Sequence, residues 1–260
     1  YGVAALVALV FVLGDEAGAK AGLAFELGLI ALGVGTGALF IGGFFIYALA
    51  IRTAGMALAS GVMRLAVVLP FLASWGIWGE VPTAGQLVGL ALAGVAFLLI
   101  ARPPPGSQAA QTATVQAQRG AAGILVLLFV AGGLGDVAMK TFTEVYGATH
   151  SSALFGLFLF AVAFLIGLGI AGAHAWRTGR RPTRAELGWG TALGVVNYGS
   201  VAFIIGALEA LDGTFVFPFN NIAIVVGAAV LGIVVWRERL ARVNVIGLGL
   251  AALALVLLTL

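Results

Sequence analysis

Arg64 is the residue whose type and position most clearly suggest chemistry. It lies near the middle of an apolar stretch, between leucine, alanine and valine residues. A charge inside a membrane-spanning segment is expensive and usually functional. Its guanidinium could bind an anionic or zwitterionic solute, or act in gating. The alternative is a structural arginine satisfied by backbone carbonyls or reaching one membrane surface.

A second set of charges is formed by Asp136 and Lys140. These residues are four positions apart, so they share one helical face and can neutralise each other. Such a pair could couple transport to proton movement. It could equally be a structural ion pair near a helix end.

Uncharged polar and aromatic side chains inside apolar segments are candidates for a solute cavity. They are Tyr47, Asn197, Tyr198, Phe217, Asn220 and Asn221. Amides suit hydrogen bonding to a polar solute, but they also serve as interhelical hydrogen bonds, and the aromatic rings also serve in packing or lipid contact. Pro218 is expected to release a backbone carbonyl and bend its helix, which favours the cavity.

Patterns typical of enzymes and metal sites are weak in this sequence. The stretch Gly167–Gly172 fits a dinucleotide-binding spacing, but it ends an apolar segment with no strand before it. His150 and His174 are isolated, and the chain has no cysteine. We therefore expect no enzymatic activity, no catalytic residues, no metal and no cofactor. The net charge of +3 is too small to indicate nucleic-acid binding.

The composition predicts a helical membrane protein. Apolar residues make up 62% of the chain and charged residues only 9%, whereas soluble domains carry about a quarter charged residues. The apolar runs are continuous rather than alternating, so they predict helices and not barrel strands. Nine segments follow, all but the first long enough to span: 1–13, 28–50, 54–77, 84–101, 122–139, 152–171, 188–208, 214–235 and 244–260.

The chain also contains an internal repeat. Residues of the first copy recur in the second at an offset of 158 positions: Trp78, Glu80 and Gly89 align with Trp236, Glu238 and Gly247. Between the copies, the Pro-rich polar stretch 102–120 predicts a flexible linker. The domains are therefore a first repeat at 1–101 and a second at 121–260.

The repeat predicts the architecture of the intact protein. The second copy has five segments and the first has four, so we expect the first copy to be truncated at its N-terminus. An odd number of spans places the two copies upside down relative to each other, as in many secondary transporters. The prediction is an all-α polytopic bundle of two inverted five-helix repeats, in which Glu80, Gly89, Glu238 and Gly247 have structural roles.

The chain resembles the EamA-type transporters of the drug/metabolite transporter superfamily. Four motifs carry the resemblance: Trp78-Gly79-Glu80 followed by Gly89, Trp236-Arg237-Glu238 followed by Gly247, Tyr47–Arg52 at the end of a third span, and Gly135–Lys140 in the first helix of a half. Their order and repetition cover essentially the whole chain. The resemblance implies a secondary transporter of small metabolites.

The sequence thus predicts a carrier that moves small polar, amino-acid-like or anionic solutes by alternating access. Its partners would be the solute, protons and the lipid bilayer, and it would be a monomer or homodimer in a bacterial inner membrane. Two alternatives stay open. One is an exporter of hydrophobic cations, which would need an unpaired acidic residue deep in the bundle. The other is a membrane subunit that transports nothing.

Overall fold

The computed structural model describes residues 1–14, 26–100, 121–179, 183–235 and 242–259, and all regular structure in these ranges is helical. Ten helices lie there: α1 (Gly2–Gly14), α2 (Leu27–Ala54), α3 (Met56–Leu65), α4 (Val68–Gly76), α5 (Ala84–Ile100), α6 (Ala121–Tyr146), α7 (Ser152–Thr178), α8 (Arg184–Ala210), α9 (Gly213–Val235) and α10 (Arg242–Leu258). The all-α prediction is confirmed. The predicted linker 102–120 and Glu238 lie outside the described residues.

Several of these helices have the length and composition of membrane spans. Six candidate spans occur in the described chain: Leu27–Ala54, Leu58–Gly76, Ala122–Tyr146, Ser152–Thr178, Arg184–Ala210 and Gly213–Leu231. The sequence predicted eight, but α5 and α10 are apolar helices of only 17 residues. Large apolar side chains on the spans remain exposed, such as Phe203 at 82%. The protein is a multi-pass membrane protein.

The segment 54–77, predicted as one uninterrupted span, is broken into α3 and α4 by a turn at 66–67. Pro70 is the cause. It has no backbone N–H, so it cannot donate to the carbonyl of Ala66 as an ordinary helical residue would. The N–H of Leu69 donates to that carbonyl instead, at 3.0 Å. The tighter hydrogen bond ends the regular α-helical ladder at this point.

The described residues form two compact units, and the first comprises Tyr1–Gly42 and Ala138–Ala210. In this unit α1 packs against α7 and α8. Gly194 of α8 is so close to α1 that a Cβ atom there would lie 2.7 Å from Cβ of Val3. The interior is formed mainly by α7, whose buried side chains include Phe155, Leu159, Phe160 and Ala163.

The second unit comprises Gly43–Val137 and Leu211–Leu260, and its most extensive helix contact joins α5 to α10. A Cβ atom on Gly89 would lie 3.2 Å from the carbonyl oxygen of Ala254, and one on Gly247 would lie 3.1 Å from the carbonyl oxygen of Ala96. The first half of each helix therefore contacts the last half of the other, so the two helices run antiparallel.

Polar caps fix the ends of this helix pair. At the start of α5, Thr83 and Gln86 form a reciprocal capping box, with hydrogen bonds of 2.9 and 3.1 Å. At its other end, Nδ2 of Asn244 in α10 donates to the carbonyl of Ile100 at 2.9 Å. This bond satisfies one of the carbonyls that a helix leaves unpaired at its C-terminus.

Candidate functional site

Arg64 lies in the last turn of α3, and its guanidinium is held by a neighbouring helix. Nη1 of Arg64 donates a hydrogen bond to Oδ1 of Asn221 in α9, at 3.3 Å. Asn221 is buried, and its Nδ2 donates to the carbonyl of Phe217 at 3.1 Å. Because the amide's donor is bound to its own helix, its oxygen points to the guanidinium. Asn221 therefore orients Arg64.

Two further helices bring groups to the same arginine. Arg64 interacts electrostatically with the carboxyl group of Asp136 in α6 and with the hydroxyl group of Tyr47 in α2. All of these residues belong to the second unit. We call the four residues Tyr47, Arg64, Asp136 and Asn221 the Arg64 site. Residues of four helices, α2, α3, α6 and α9, contribute to it.

The close approach of α6 to the break between α3 and α4 depends on two glycines. A Cβ atom on Gly132 would lie 2.9 Å from Sδ of Met63, and one on Gly133 would lie 2.9 Å from the carbonyl oxygen of Ala66. No larger residue fits at either position without a shift of its neighbour. Asp136, which interacts electrostatically with Arg64, lies one turn further along α6.

The Arg64 site lies within the membrane spans rather than at their ends. At about 1.5 Å rise per residue, Arg64 is roughly 9 Å, Asn221 roughly 12 Å and Asp136 roughly 15 Å from the nearer end of its span. An arginine at this depth that only needed to reach a membrane surface would not require an amide and a carboxylate as partners. The geometry instead indicates an internal polar site.

Not every residue predicted for the cavity belongs to this site. Phe217 is buried next to it, one turn before Asn221, and Asn220 is partly exposed on the same helix. Asn197 and Tyr198 belong to α8 in the first unit. There the Tyr198 ring lies 5.4 Å from the ring of Phe11 and 6.3 Å from that of Phe160. Its described contacts are those of aromatic packing.

The sequence suggested an ion pair between Asp136 and Lys140. In the structure, each of these residues interacts with a different residue. Lys140 is buried, with 1% of its surface exposed, and its Nζ forms a salt bridge with Oε1 of Glu144 one turn further along α6. Asp136 interacts with Arg64. Glu144 was missed in the sequence, although its spacing from Lys140 equals that of Asp136.

Comparisons with known proteins agree with the helical fold. No family model matches the chain. An uncharacterized protein of Haemophilus influenzae is 26% identical over 208 residues, which are 79% of this chain and 67% of that protein. A solved crystal structure of a protein with 19% sequence identity superposes with a TM-score of 0.71, covering 99% of this chain and 88% of the other. This fold therefore also occurs in a protein of known structure.

Glu80, for which the sequence predicted a structural role, is hydrogen-bonded to the start of α9. Its Oε2 accepts a hydrogen bond from the backbone N–H of Thr214 at 3.1 Å, in the first turn of α9. A carboxylate at this position accepts a hydrogen bond from an N–H group that has no partner within the helix, and its negative charge interacts favourably with the positive end of the helix dipole. A side chain on Gly213 would collide with Ser74, so glycine keeps the carboxylate close. Glu80 thus anchors the helix that carries Asn221.

The Arg64 site contains groups that form strong hydrogen bonds. It offers a guanidinium, which forms paired hydrogen bonds with carboxylates, together with an amide and a phenol that hydrogen-bond to polar groups. In the described ranges, no group of three or more histidine, cysteine, aspartate or glutamate residues is arranged to hold a metal ion. Guanidinium, amide and phenol groups can hydrogen-bond to an anionic group.

Proposed function

We propose that this protein is a secondary transporter that moves small organic solutes across a bacterial inner membrane by alternating access. The observation that carries the proposal is the Arg64 site, where a guanidinium at depth in the spans is hydrogen-bonded to Asn221 and interacts electrostatically with Asp136 and Tyr47. Charged residues inside membrane spans mark substrate and ion pathways. The break between α3 and α4 next to Arg64 adds support, because discontinuous helices often form transporter binding sites.

The finer architecture of the proposal is a pair of inverted EamA-type repeats. Adding the sequence offset of 158 to the bounds of α5, 84 and 100, gives the bounds of α10, 242 and 258. The same offset relates Gly89 to Gly247 and Ala96 to Ala254, and these four residues make the reciprocal contacts between the two helices. Antiparallel packing of equivalent helices is what an inverted repeat requires. We propose that the protein is a monomer or a homodimer.

The function is tested by uptake into proteoliposomes. The purified protein should accumulate some members of a radiolabelled panel of amino acids and carboxylates above the level of protein-free liposomes. The Arg64→Ala variant should lose this uptake and remain monodisperse, and Arg64→Lys should keep part of it, because lysine preserves the charge but not the planar fork. Arg52→Ala is the matched control, since Arg52 is exposed at the end of α2.

Two outcomes would contradict the proposal. Uptake of no solute by folded wild-type protein would favour a membrane subunit that transports nothing. Full uptake by the alanine variant would remove Arg64 from the mechanism.

One observation favours a second candidate, an exporter of hydrophobic cations. Such an exporter needs an acidic residue deep in the bundle, and Asp136 lies within α6 at that depth. However, Arg64 lies beside this carboxylate and would repel a cationic solute. The first function is therefore better supported. Export of a fluorescent cation that competes with protons would reverse this preference.

A further inference from the structure

We propose that Asp136 is the proton-binding site of an electroneutral symporter, in which one proton on Asp136 crosses the membrane together with one small monocarboxylate on Arg64. This inference rests on the proposed transport function and specifies its solute and its energy source. The solute carboxylate would take the place of the Asp136 carboxylate as the anionic partner of the guanidinium. The carboxylate of Asp136, having lost that partner, would then accept a proton from the aqueous side.

The surroundings of Asp136 support this exchange of partners. Helices α2, α3 and α4 approach α6 in the second unit, with Ala131, Gly132 and Gly133 at the contacts. Their ionisable groups are few: α2 contributes Tyr47 and, at its end, Arg52; α3 contributes Arg64; described α4 contributes none; and on α6 itself Lys140 is paired with Glu144. The cation that acts on Asp136 is therefore Arg64.

Counting charges gives the reason for coupling. The empty site holds Arg64 and an ionised Asp136, so its net charge is zero. With a monocarboxylate and a proton bound, the net charge is again zero. When only the anion is bound, the net charge of the site is negative, and when only the proton is bound, it is positive. Because moving a charged site through the membrane interior is costly, the half-loaded forms do not change orientation. Only the empty and fully loaded forms do.

The same count selects the solute. A dicarboxylate would leave the loaded site with a negative charge, and a zwitterion bound together with a proton would leave it positive. Both are disfavoured as proton-coupled cargo by the same cost of charge inside the membrane. A monocarboxylate is the anion that leaves the loaded site neutral. The hydroxyl group of Tyr47, which lies in the same site, can hydrogen-bond to a hydroxyl or keto group on such an acid.

The experiment uses radiolabelled L-lactate as the probe, with succinate and alanine for comparison. Proteoliposomes containing the wild-type protein and internal pyranine receive an inward proton gradient. We expect lactate to accumulate about tenfold per pH unit, since each unit corresponds to about 1.4 kcal/mol of driving force. The lumen should acidify as lactate enters, and a potential set by valinomycin and potassium should have no effect. Protein-free liposomes correct for passive entry of lactic acid.

The Asp136→Asn variant gives the sharpest test. Without an ionisable group, its empty site is positive and its lactate-loaded site is neutral, so only the loaded form should cross. The variant should exchange external labelled lactate for internal lactate but lose net uptake driven by the proton gradient. Asp212→Asn is the matched control, because Asp212 is exposed before α9. If the Asn variant does not fold, the wild-type protein tests the proposal: its lactate uptake should depend on the proton gradient and should not respond to membrane potential.

The outcomes separate this inference from the proposed function. Uptake of amino acids but not lactate would overturn the inference and leave the transporter intact. Lactate uptake that ignores the proton gradient, responds to membrane potential, or persists as proton-driven net uptake in Asp136→Asn would also overturn it. A folded Asp136→Asn variant without exchange would assign Asp136 to solute binding instead of coupling. Failure of every solute to enter would instead overturn the proposed function.

Discussion

Asn221 determines how the Arg64 guanidinium is presented. Its amide accepts from Arg64 and donates to the carbonyl of Phe217, so both ends of the amide are used. Hydrogen bonds to charged groups contribute about 1.5–3 kcal/mol, more than those between neutral groups. A single buried amide can therefore hold a long, flexible side chain in one position. The side chain then loses less conformational entropy when a solute binds.

Replacing Asn221 by alanine should weaken solute binding without unfolding the protein. Loss of the amide leaves the guanidinium free to adopt other rotamers, so we expect the KM of transport to rise about tenfold or more, with a smaller change in maximal rate. Asn220→Ala is the matched control, because Asn220 is the adjacent amide on the same helix and is partly exposed. Equal effects of the two substitutions would show that Asn221 does not orient Arg64.

The members of the site could be named from the sequence, but their partners could not. Charges and amides stand out in apolar segments, so Arg64, Asp136 and Asn221 were all predicted. Lys140 has an acid four residues before it and another four residues after it, and both spacings suit a helical ion pair. The structure pairs it with Glu144, whereas Asp136 interacts electrostatically with an arginine from another helix. Contacts between helices distant in sequence leave no periodic signal.

At the scale of helices, proline shows why local rules are insufficient. Pro218, which was expected to bend its helix, lies inside α9, and this helix continues from Gly213 to Val235. Pro70, which attracted no prediction, ends the regular hydrogen bonding between α3 and α4. Both residues lack the same donor. The outcome depends on which neighbouring N–H group can reach the carbonyl that each proline leaves, and that is a property of the packed structure.

The contact between α5 and α10 predicts different tolerance at two glycines of one helix. A Cβ atom on Gly247 would lie 2.8 Å from a side-chain atom of Ile100 and 3.1 Å from the backbone oxygen of Ala96, whereas Gly249 has nothing within 4 Å. Gly247→Ala should therefore destabilise the protein by about 1–3 kcal/mol through overpacking. Gly249→Ala should be neutral. Thermal unfolding in detergent measures both, and equal melting temperatures would contradict the contact.

For the whole molecule, composition was sufficient to predict a helical membrane protein, because no soluble fold can bury so many apolar residues. The compact units could not be predicted. Each draws on both predicted repeats: the second unit combines the end of α2 and α3–α5 with most of α6, α9 and α10. Sequence similarity predicts which segments are equivalent, whereas packing determines which segments are in contact, and the two need not coincide.

The orientation of the molecule follows from the charges in its loops. If successive loops alternate between the two membrane faces, one face receives ten arginines: Arg52, Arg102, Arg119, Arg177, Arg180, Arg181, Arg184, Arg237, Arg239 and Arg242. The other face receives Lys20 with most of the acidic residues. The sequence count also assigns Lys140 to that face, but its side chain is buried within α6. Short loops rich in lysine and arginine stay in the cytoplasm. The arginine face should therefore be cytoplasmic, although the EamA resemblance, with both termini inside, suggests the opposite.

Cysteine labelling can decide the orientation, because the chain contains no cysteine of its own. Ala185, at the start of α8, is exposed on the arginine face, and Ala148, between α6 and α7, is exposed on the other. Both avoid Gly179, whose φ of 68° makes substitution strained. In intact cells an impermeant maleimide should label Ala148→Cys at once and Ala185→Cys only after permeabilisation. The reverse pattern would show that the ten arginines face outwards. The charge count would then be wrong, and the topology with both termini inside, which the EamA resemblance implies, would be right.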